Sequence, residues 1–310
     1  MKIDIFAHIL PEKYFKALQK KDQSNKISKR TSANQANTRL DVRLRVMERY
    51  PDVVQVINVS QPPLEAIVPA NDAAELARMA NDELAELVVK YPDKFIGGVA
   101  CLPLNNIEAA LKETDRAIKE LKFKGVQIYS NVNNKTLEMP KLMPLYQKME
   151  QYGLPIWIHP WMGKSGDESV FGWPYETSAA MLSLVSGGVF RKFPNIKFMI
   201  HHAGAMAPYF EQRINWLFPL EFSDRNIHDP VEHFRKFYCD TAVYGSTLAL
   251  TCAYNFFGID HLLFGTDAPL GPNFGLTDIT IESIERMEIS DSDKGKIFWQ
   301  NAAQLLKIAI

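Results

Sequence analysis

The chain has 310 residues, a formal net charge of -1 and 46% hydrophobic residues. This length suits one large α/β domain or two ordinary ones. The balanced charge gives no electrostatic reason to expect binding to nucleic acid or to an anionic membrane. We expect no membrane helix, because no apolar stretch approaches the ~18 residues that one needs. We expect no secretory signal either. Three cysteines without metal-type spacing favour a reduced, cytoplasmic setting.

Apolar runs alternate with helical patterns along the whole chain, which predicts eight strand–helix units. The predicted strands are residues 2–8, 53–59, 95–101, 125–129, 155–159, 196–202, 237–241 and 261–266. The predicted helices are residues 40–49, 71–90, 106–121, 140–152, 177–190, 206–217, 246–257 and 294–308. This alternation predicts a parallel sheet, and eight units predict a closed (β/α)₈ TIM barrel that forms a single domain over residues 1–310. A doubly wound open sheet is the alternative, which is weakened because no GxGxxG follows a strand.

A polar stretch follows the first predicted strand, from Lys20 to Asn37. It is too polar for the core and too long for a tight turn. We therefore interpret residues 20–39, approximately, as an insertion that forms a lid or rim over the barrel mouth.

Four residues with metal-binding or acid/base chemistry close predicted strands: His8, His159, His202 and Asp267. The carboxyl ends of parallel barrel strands meet at one face, where such barrels keep their active sites. A single histidine could be an ordinary core residue, but this set on four strands favours a functional constellation. His201 and His202 are neighbours in a strand and point to opposite faces, so only one of them can face the mouth. Geometry alone does not say which.

The sequence resembles the amidohydrolase-related family, in the branch with aminocarboxymuconate-semialdehyde decarboxylase and the resorcylate-type decarboxylases. The matching runs are IDIFAHILP at 3–11, HPWMG at 159–163, the long segment 176–214 and FGTDAPLG at 264–271. The resemblance implies a distorted, metallo-dependent hydrolase-like TIM barrel with a divalent metal, commonly zinc.

The same resemblance assigns roles to individual residues. The metal ligands would be position 6, His8, His159 and Asp267, and His202 would be the acid/base. We therefore expect His202 to face the pocket and His201 to turn away into the layer between sheet and helices.

Position 6 departs from the family pattern because it is Phe6. Positions 4, 6 and 8 would share one face of the first strand, so a phenyl ring would point where the first ligand belongs. Asp4 would lie toward the barrel floor and would not replace that ligand. His8, His159 and Asp267 with a water would still be a legitimate catalytic zinc set. The alternative is a pocket that works, or only binds, without metal.

Other residues are candidates for substrate binding. Arg213 matches an arginine that, in the resembling decarboxylase, contacts the substrate carboxylate across a dimer interface, which implies a homodimer; the alternative is a solvated helix residue. Trp161, Trp173 and Tyr175 follow the fifth predicted strand and would line a pocket for a flat acid, or simply pack in a lid. Asp240 is a candidate for a residue that does not bind the metal itself but contacts a residue of the site.

The leading functional hypothesis is a metal-assisted decarboxylase (carboxy-lyase) of an aromatic or conjugated carboxylic acid, with His202 transferring the proton. A rival is a hydrolase of a C–N or C–O bond in a lactone or cyclic amide. In that case Asp267 and His202 would activate water, possibly without metal. A third possibility is a non-catalytic, ligand-binding barrel with a decayed site. The expected partners are a small carboxylic acid or cyclic substrate and a second copy of the chain.

Overall fold

The structure is a computed structural model that describes residues 1–22, 34–161, 169–271 and 275–309. Its strands pair in parallel, in the orders β1-β2-β3 and β4-β5-β6-β7-β8. The strands are β1 Lys2–Ile9, β2 Val53–Val59, β3 Phe95–Gly98, β4 Ala100–Cys101, β5 Val126–Tyr129, β6 Ile156–His159, β7 Phe198–Ile200 and β8 Tyr238–Cys239.

Helices follow the strands and cover the outside of the sheet. They are α1 Glu12–Lys21, α2 Gln35–Thr38, α3 Leu40–Met47, α4 Ala70–Lys90, α5 Ile107–Lys119, α6 Met143–Tyr152, α7 Gly172–Ser186, α8 Val189–Lys192, α9 Glu211–Glu221, α10 Pro230–Phe234, α11 Thr247–Phe257, α12 Thr277–Glu285, α13 Asp291–Gly295 and α14 Asn301–Leu305. Local sequence sets their ends: Asn106 caps α5 by accepting from the Ala109 N–H, and left-handed Gly153 ends α6. None of the described helices could cross a bilayer.

The barrel closes through an irregular segment rather than through a regular eighth strand. The predicted strand at 261–266 makes one isolated bridge, between Leu262 and Cys239, where Leu263 N–H donates to the Cys239 carbonyl. The Phe264 carbonyl also accepts from Ile5 N–H. A second irregularity splits the predicted third strand into β3 and β4 at Val99, whose N–H donates to the Ile57 carbonyl. The fold is thus a distorted (β/α)₈ barrel, as the sequence predicts.

Strand β1 contains a bulge that decides which side chains enter the barrel. Asp4 pairs with Gln55 and Ala7 with Ile57, so three steps on β1 match two on β2. The extra residue on β1 interrupts the regular alternation by which successive side chains point to opposite faces of the sheet. Ile5 and Phe6 consequently both join the interior apolar cluster. The expectation that positions 4, 6 and 8 share one face is therefore wrong.

That interior cluster fills the barrel below the mouth. It draws Ile3, Trp157 and Met199 from different strands, and Leu305 and Leu306 from the region of the last helix. The outward-facing neighbours Phe198 and Ile200 instead join the larger core between sheet and helices. The site therefore rests on a solid apolar floor, as is usual in such barrels.

The predicted lid lies partly outside the described residues, which omit 23–33. Its described end is fixed to the barrel mouth, where the Asn37 carbonyl accepts from Leu10 N–H and Asn37 Nδ2 donates to Ser60 Oγ at 3.0 Å. The role of residues 20–39 as a lid stays a prediction. Helices α1, α2, α10 and α12 are additional elements that the sequence patterns did not indicate.

Candidate active site

Phe6 lies in the middle of a group of imidazole rings. Its ring centroid is 3.4 Å from that of His201, 4.5 Å from His8, 5.8 Å from His159 and 6.3 Å from His202. Three of these histidines are almost completely buried, and His202 is partly exposed. The barrel thus brings together the strand ends that the sequence singles out, and adds His201. We call His8, His159, His201, His202 and Asp267 the histidine cluster.

Asp267 reaches the cluster because the closing segment is fixed to β1. The His8 N–H donates to the Ala268 carbonyl at 2.6 Å, and Thr266 donates twice to the Asp4 carboxylate. Asp267 itself adopts the left-handed region, with φ +61°, which non-glycine residues rarely occupy. Its Oδ1 lies 3.0 Å from His8 Nε2. A strained backbone at this position agrees with a functional rather than a packing role.

His159 is held in one tautomer by its own strand end. Its Nδ1 lies 2.9 Å from the Pro160 carbonyl, an arrangement in which Nδ1–H donates and Nε2 keeps its lone pair. Burial lowers the pKa of His159 well below its usual value, so the ring is neutral at pH 7. Its centroid lies 5.0 Å from that of His8. A neutral imidazole with a free Nε2 is the form that binds a metal.

The arrangement of His201 and His202 differs from the expected one. His201 follows Met199 on the inner side of the strand, and its fully buried ring stacks on Phe6 at an interplanar angle of 16°. The prediction that His201 turns away from the barrel is wrong, because strand alternation from Met199 directs it inward. His202 also reaches the mouth, since the backbone turns left-handed there with φ +57°.

Asp240 fixes the His201 ring. His201 Nδ1 lies 2.6 Å from Asp240 Oδ2, while Asp240 Oδ1 accepts the backbone N–H groups of His202 and Ala242. Burial lowers the pKa of His201 and raises that of Asp240 to about 7, which the backbone donors oppose. We assign a neutral His201 whose Nδ1–H donates to the Asp240 carboxylate. This leaves His201 Nε2 without a partner.

A cavity of about 450 Å³ opens beside the cluster. Trp173 stacks nearly parallel to His202, with centroids 6.3 Å apart and 23° between planes. Tyr244, which the sequence patterns did not single out, also lines the cavity and has φ +54°. A local sign of this backbone turn in the sequence is the glycine that follows, Gly245. The lining residues are Ser169, Val170, Trp173, Pro174, His202, Ala205, Ala242, Val243, Tyr244 and Ala249. Over the described ranges, no lysine or arginine is among them.

The other predicted substrate-binding residues lie outside this lining. The Trp161 carbonyl accepts from Asn131 Nδ2 at 2.6 Å, which fixes the backbone of Trp161 two residues after β6. Tyr175 is an exposed side chain of α7, and Arg213 is exposed on α9. A substrate role for Trp161, Tyr175 and Arg213 stays a prediction.

The donors in the cluster suit a divalent metal in kind. Both ring nitrogens of His8 and Nε2 of His201 are buried without a hydrogen-bond partner, and such groups call for an ion or a water. Within the described ranges, however, no three His, Cys, Asp or Glu side chains form a ready-made coordination shell. The contact between His8 and Asp267 would have to open around an ion. The cluster therefore offers the kinds of donor atom that a divalent metal needs, but these atoms would form a coordination shell only when the ion binds.

Comparison with known proteins identifies the family. The amidohydrolase family model matches residues 3–308. A 2-amino-3-carboxymuconate-6-semialdehyde decarboxylase from Dictyostelium discoideum is 33% identical over 276 residues, covering 86% of this chain and 76% of the relative. A gamma-resorcylate decarboxylase from Polaromonas sp. is 31% identical over 292 residues, covering 86% and 87%.

The fold comparison agrees with the sequence comparison. The crystal structure of a dihydroxybenzoic acid decarboxylase from Polaromonas sp., with bound manganese and the inhibitor 2-nitroresorcinol, superposes with a TM-score of 0.83. It is 26% identical in sequence, and the match covers 99% of this chain and 97% of that chain. The family model and these relatives together show that the chain belongs to the amidohydrolase family.

Proposed function

We propose that this protein is a metal-assisted decarboxylase of an aromatic or conjugated carboxylic acid. The observation that carries the proposal is the position of His202, which forms part of the wall of an aromatic-lined cavity beside the histidine cluster. A flat acid can stack on Trp173 there while its reacting carbon meets an imidazole. Relatives named as decarboxylases of aminocarboxymuconate semialdehyde and of gamma-resorcylate support the same reaction class.

His202 would supply the proton that the reaction requires. When carbon dioxide leaves, the electron pair of the broken C–C bond stays on the substrate carbon, which must then take a proton. His202 Nδ1 is buried and has no hydrogen-bond partner, so this imidazole is available to hold and deliver that proton. Trp173 would restrict the orientation of the His202 ring through stacking.

We propose that His8, His159 and Asp267 hold a divalent metal. When bound, the metal supplies a Lewis acid that polarises a substrate oxygen. The sequence resemblance implies zinc, and the Polaromonas structure contains manganese. Imidazole nitrogens and one carboxylate suit either ion. Zinc is our first expectation, and metal analysis of purified protein decides between them.

We further propose a homodimer in which Arg213 serves the partner's site. Arg213, Trp216 and Leu220 recur at helical spacing along α9 and form one exposed face, with Trp216 and Leu220 72% and 74% exposed. Such an apolar stripe marks an interaction surface. Light scattering on Trp216→Glu, with exposed Leu248→Glu as control, should show dissociation of the first variant only.

We propose the cytoplasm as the working compartment. Cys101 and Cys239 are buried free thiols, and Cys252 is also free. Unpaired cysteines suit a reducing environment.

The reaction is tested directly with purified protein. 2,6-Dihydroxybenzoate, 6-methylsalicylate and 5-carboxyvanillate are incubated with enzyme that carries zinc or manganese, and carbon dioxide release is measured beside product analysis. A matched panel of lactones and cyclic amides tests the hydrolase alternative. The proposal expects carbon dioxide from at least one acid and loss of that activity in His202→Asn. Turnover confined to the lactones or amides would contradict it.

A further inference from the structure

We propose that His201 supplies the metal-binding nitrogen that Phe6 cannot, so that the ion is held by His8, His159, His201 and Asp267. The inference rests on the proposed metal site and assigns a new ligand within it. It starts from the stacked pair at the centre of the cluster, in which the His201 and Phe6 centroids are 3.4 Å apart.

The stacking brings a nitrogen donor next to the position that lacks one. Phe6 carries no lone pair, but the imidazole of His201, which follows β7, stacks on its ring. The bulge in β1 and the alternation of β7 direct both side chains to the interior. The imidazole of His201 thus lies directly against the side chain that lacks a donor atom.

His201 has the support that metal-binding histidines usually have. Its Nδ1 pairs with Asp240 Oδ2 at 2.6 Å, and its Nε2 is fully buried without a partner. A carboxylate that fixes one ring nitrogen while the other binds the ion is the usual outer arrangement of metal sites. A buried nitrogen with a lone pair and no donor otherwise carries a desolvation cost.

Two ring spacings, those of His159 with His8 and with His201, agree with ligands of one ion. The centroids of His8 and His159 are 5.0 Å apart, and those of His159 and His201 are 5.7 Å apart. Two imidazoles that bind one ion at about 2.1 Å have centroids about 4.5–6.5 Å apart. His202 differs because its ring stacks on Trp173 and lines the cavity, which leaves it for proton transfer.

The test removes only the proposed donor atom. His201→Asn keeps an N–H that can reach Asp240 but has no counterpart of Nε2. Wild type, His201→Asn and, as control, His228→Asn at an exposed histidine are titrated with Zn²⁺ and with Mn²⁺. Metal per chain is measured by mass spectrometry, and circular dichroism checks folding. We expect His201→Asn to lose affinity at least about tenfold, while His228→Asn matches wild type.

A double variant that exchanges the two stacked rings tests the same claim through a gain of metal binding as well as a loss. Phe6→His/His201→Phe swaps the two stacked rings, so the number of donors and the core volume are kept. We expect it to bind more metal than His201→Phe alone. Wild-type affinity in His201→Asn, or no metal in the wild type, overturns the inference. Because these readouts need no substrate, the decarboxylation assay remains an independent test of the proposed function if they fail.

Discussion

The buried polar side chains on the two sides of strand β1 differ in whether their atoms have hydrogen-bond partners. On the outer side, both oxygens of Asp4 are paired: Oδ1 accepts from Phe6 N–H and Thr266 N–H, and Oδ2 accepts from Gln55 Nε2 and Thr266 Oγ1. On the inner side, His8 Nδ1 has no partner, and His8 Nε2 lies 3.0 Å from Asp267 Oδ1 without making a hydrogen bond. Both sides are buried to the same extent. The outer group is therefore built for stability, and the inner group is left open for a ligand.

The outer network extends to a buried arginine. Arg43 donates from Nε and Nη2 to Gln55 Oε1 at 3.1 and 2.7 Å, and Gln55 connects it to Asp4. The network ties α3, β2, β1 and the closing segment together. In the inner cluster, His201 pairs with Asp240 and His159 with the Pro160 carbonyl, but His8 Nδ1 and His201 Nε2 make no hydrogen bond. Variants on the two sides should therefore separate activity from stability.

The largest effect is expected on the inner side, at His202. A positioned acid/base contributes about 10²–10⁴-fold to rate, so His202→Asn should lose activity by that factor. Its melting temperature should change little, because His202 is partly exposed and asparagine tolerates the left-handed region. Turnover and thermal unfolding are measured together. A variant that keeps its activity but has a lower melting temperature would show that His202 serves stability and not proton transfer.

On the outer side, Asp4 should make stability depend on pH. Burial raises the pKa of Asp4 to about 6 from a usual value of 3.8, so the folded state binds the proton more tightly than the unfolded state. The stability contribution is present below about pH 4 and is lost as the pH rises to about 6, by up to about 3 kcal/mol. Asp4→Asn should lack this slope. Urea unfolding across that range measures it, and parallel profiles of wild type and variant would refute the assignment.

A smaller effect is expected at Arg43. Arg43→Met fills similar space but leaves Gln55 Oε1 without its donors, which should cost about 1–3 kcal/mol of unfolding free energy. Turnover per folded molecule and metal content should stay at the wild-type values, because Arg43 does not line the cavity. An activity loss that exceeds the loss of folded protein would show that the two sides of β1 are coupled.

The smallest effect is expected at the cavity wall. Trp173→Leu keeps an apolar side chain but removes the stacking surface beside His202. Aromatic pairing is worth about 0.5–1.5 kcal/mol, so KM for an aromatic acid should rise by about 2–13-fold with little change in kcat. Trp173→Phe should retain most of the affinity. Equal KM values for the leucine and phenylalanine variants would exclude stacking.

Strand-end residues were the most predictable part of the site. His8, His159 and Asp267 follow from the alternation of strands and helices, because barrel geometry alone brings such ends together. The inward direction of His201 was missed. It depends on which face of a three-residue strand looks inward and on a left-handed turn at His202, and neither leaves a clear local pattern.

The bulge in β1 was also beyond prediction from sequence. It arises from pairing with β2 and with the closing segment, both far along the chain, so no local propensity encodes it. In place of a regular eighth strand, the closing segment has isolated bridges at Leu262 and Ala268.

The central claim is that the unpartnered nitrogens of the inner side bind a metal ion. Anomalous diffraction from crystals grown with zinc or manganese tests it most directly. The account predicts one peak inside the barrel, about 2.0–2.3 Å from nitrogens of His8, His159 and His201 and from an oxygen of Asp267. Crystals that show no anomalous peak there, with waters bonded to those nitrogens and the contact between His8 and Asp267 intact, would contradict it.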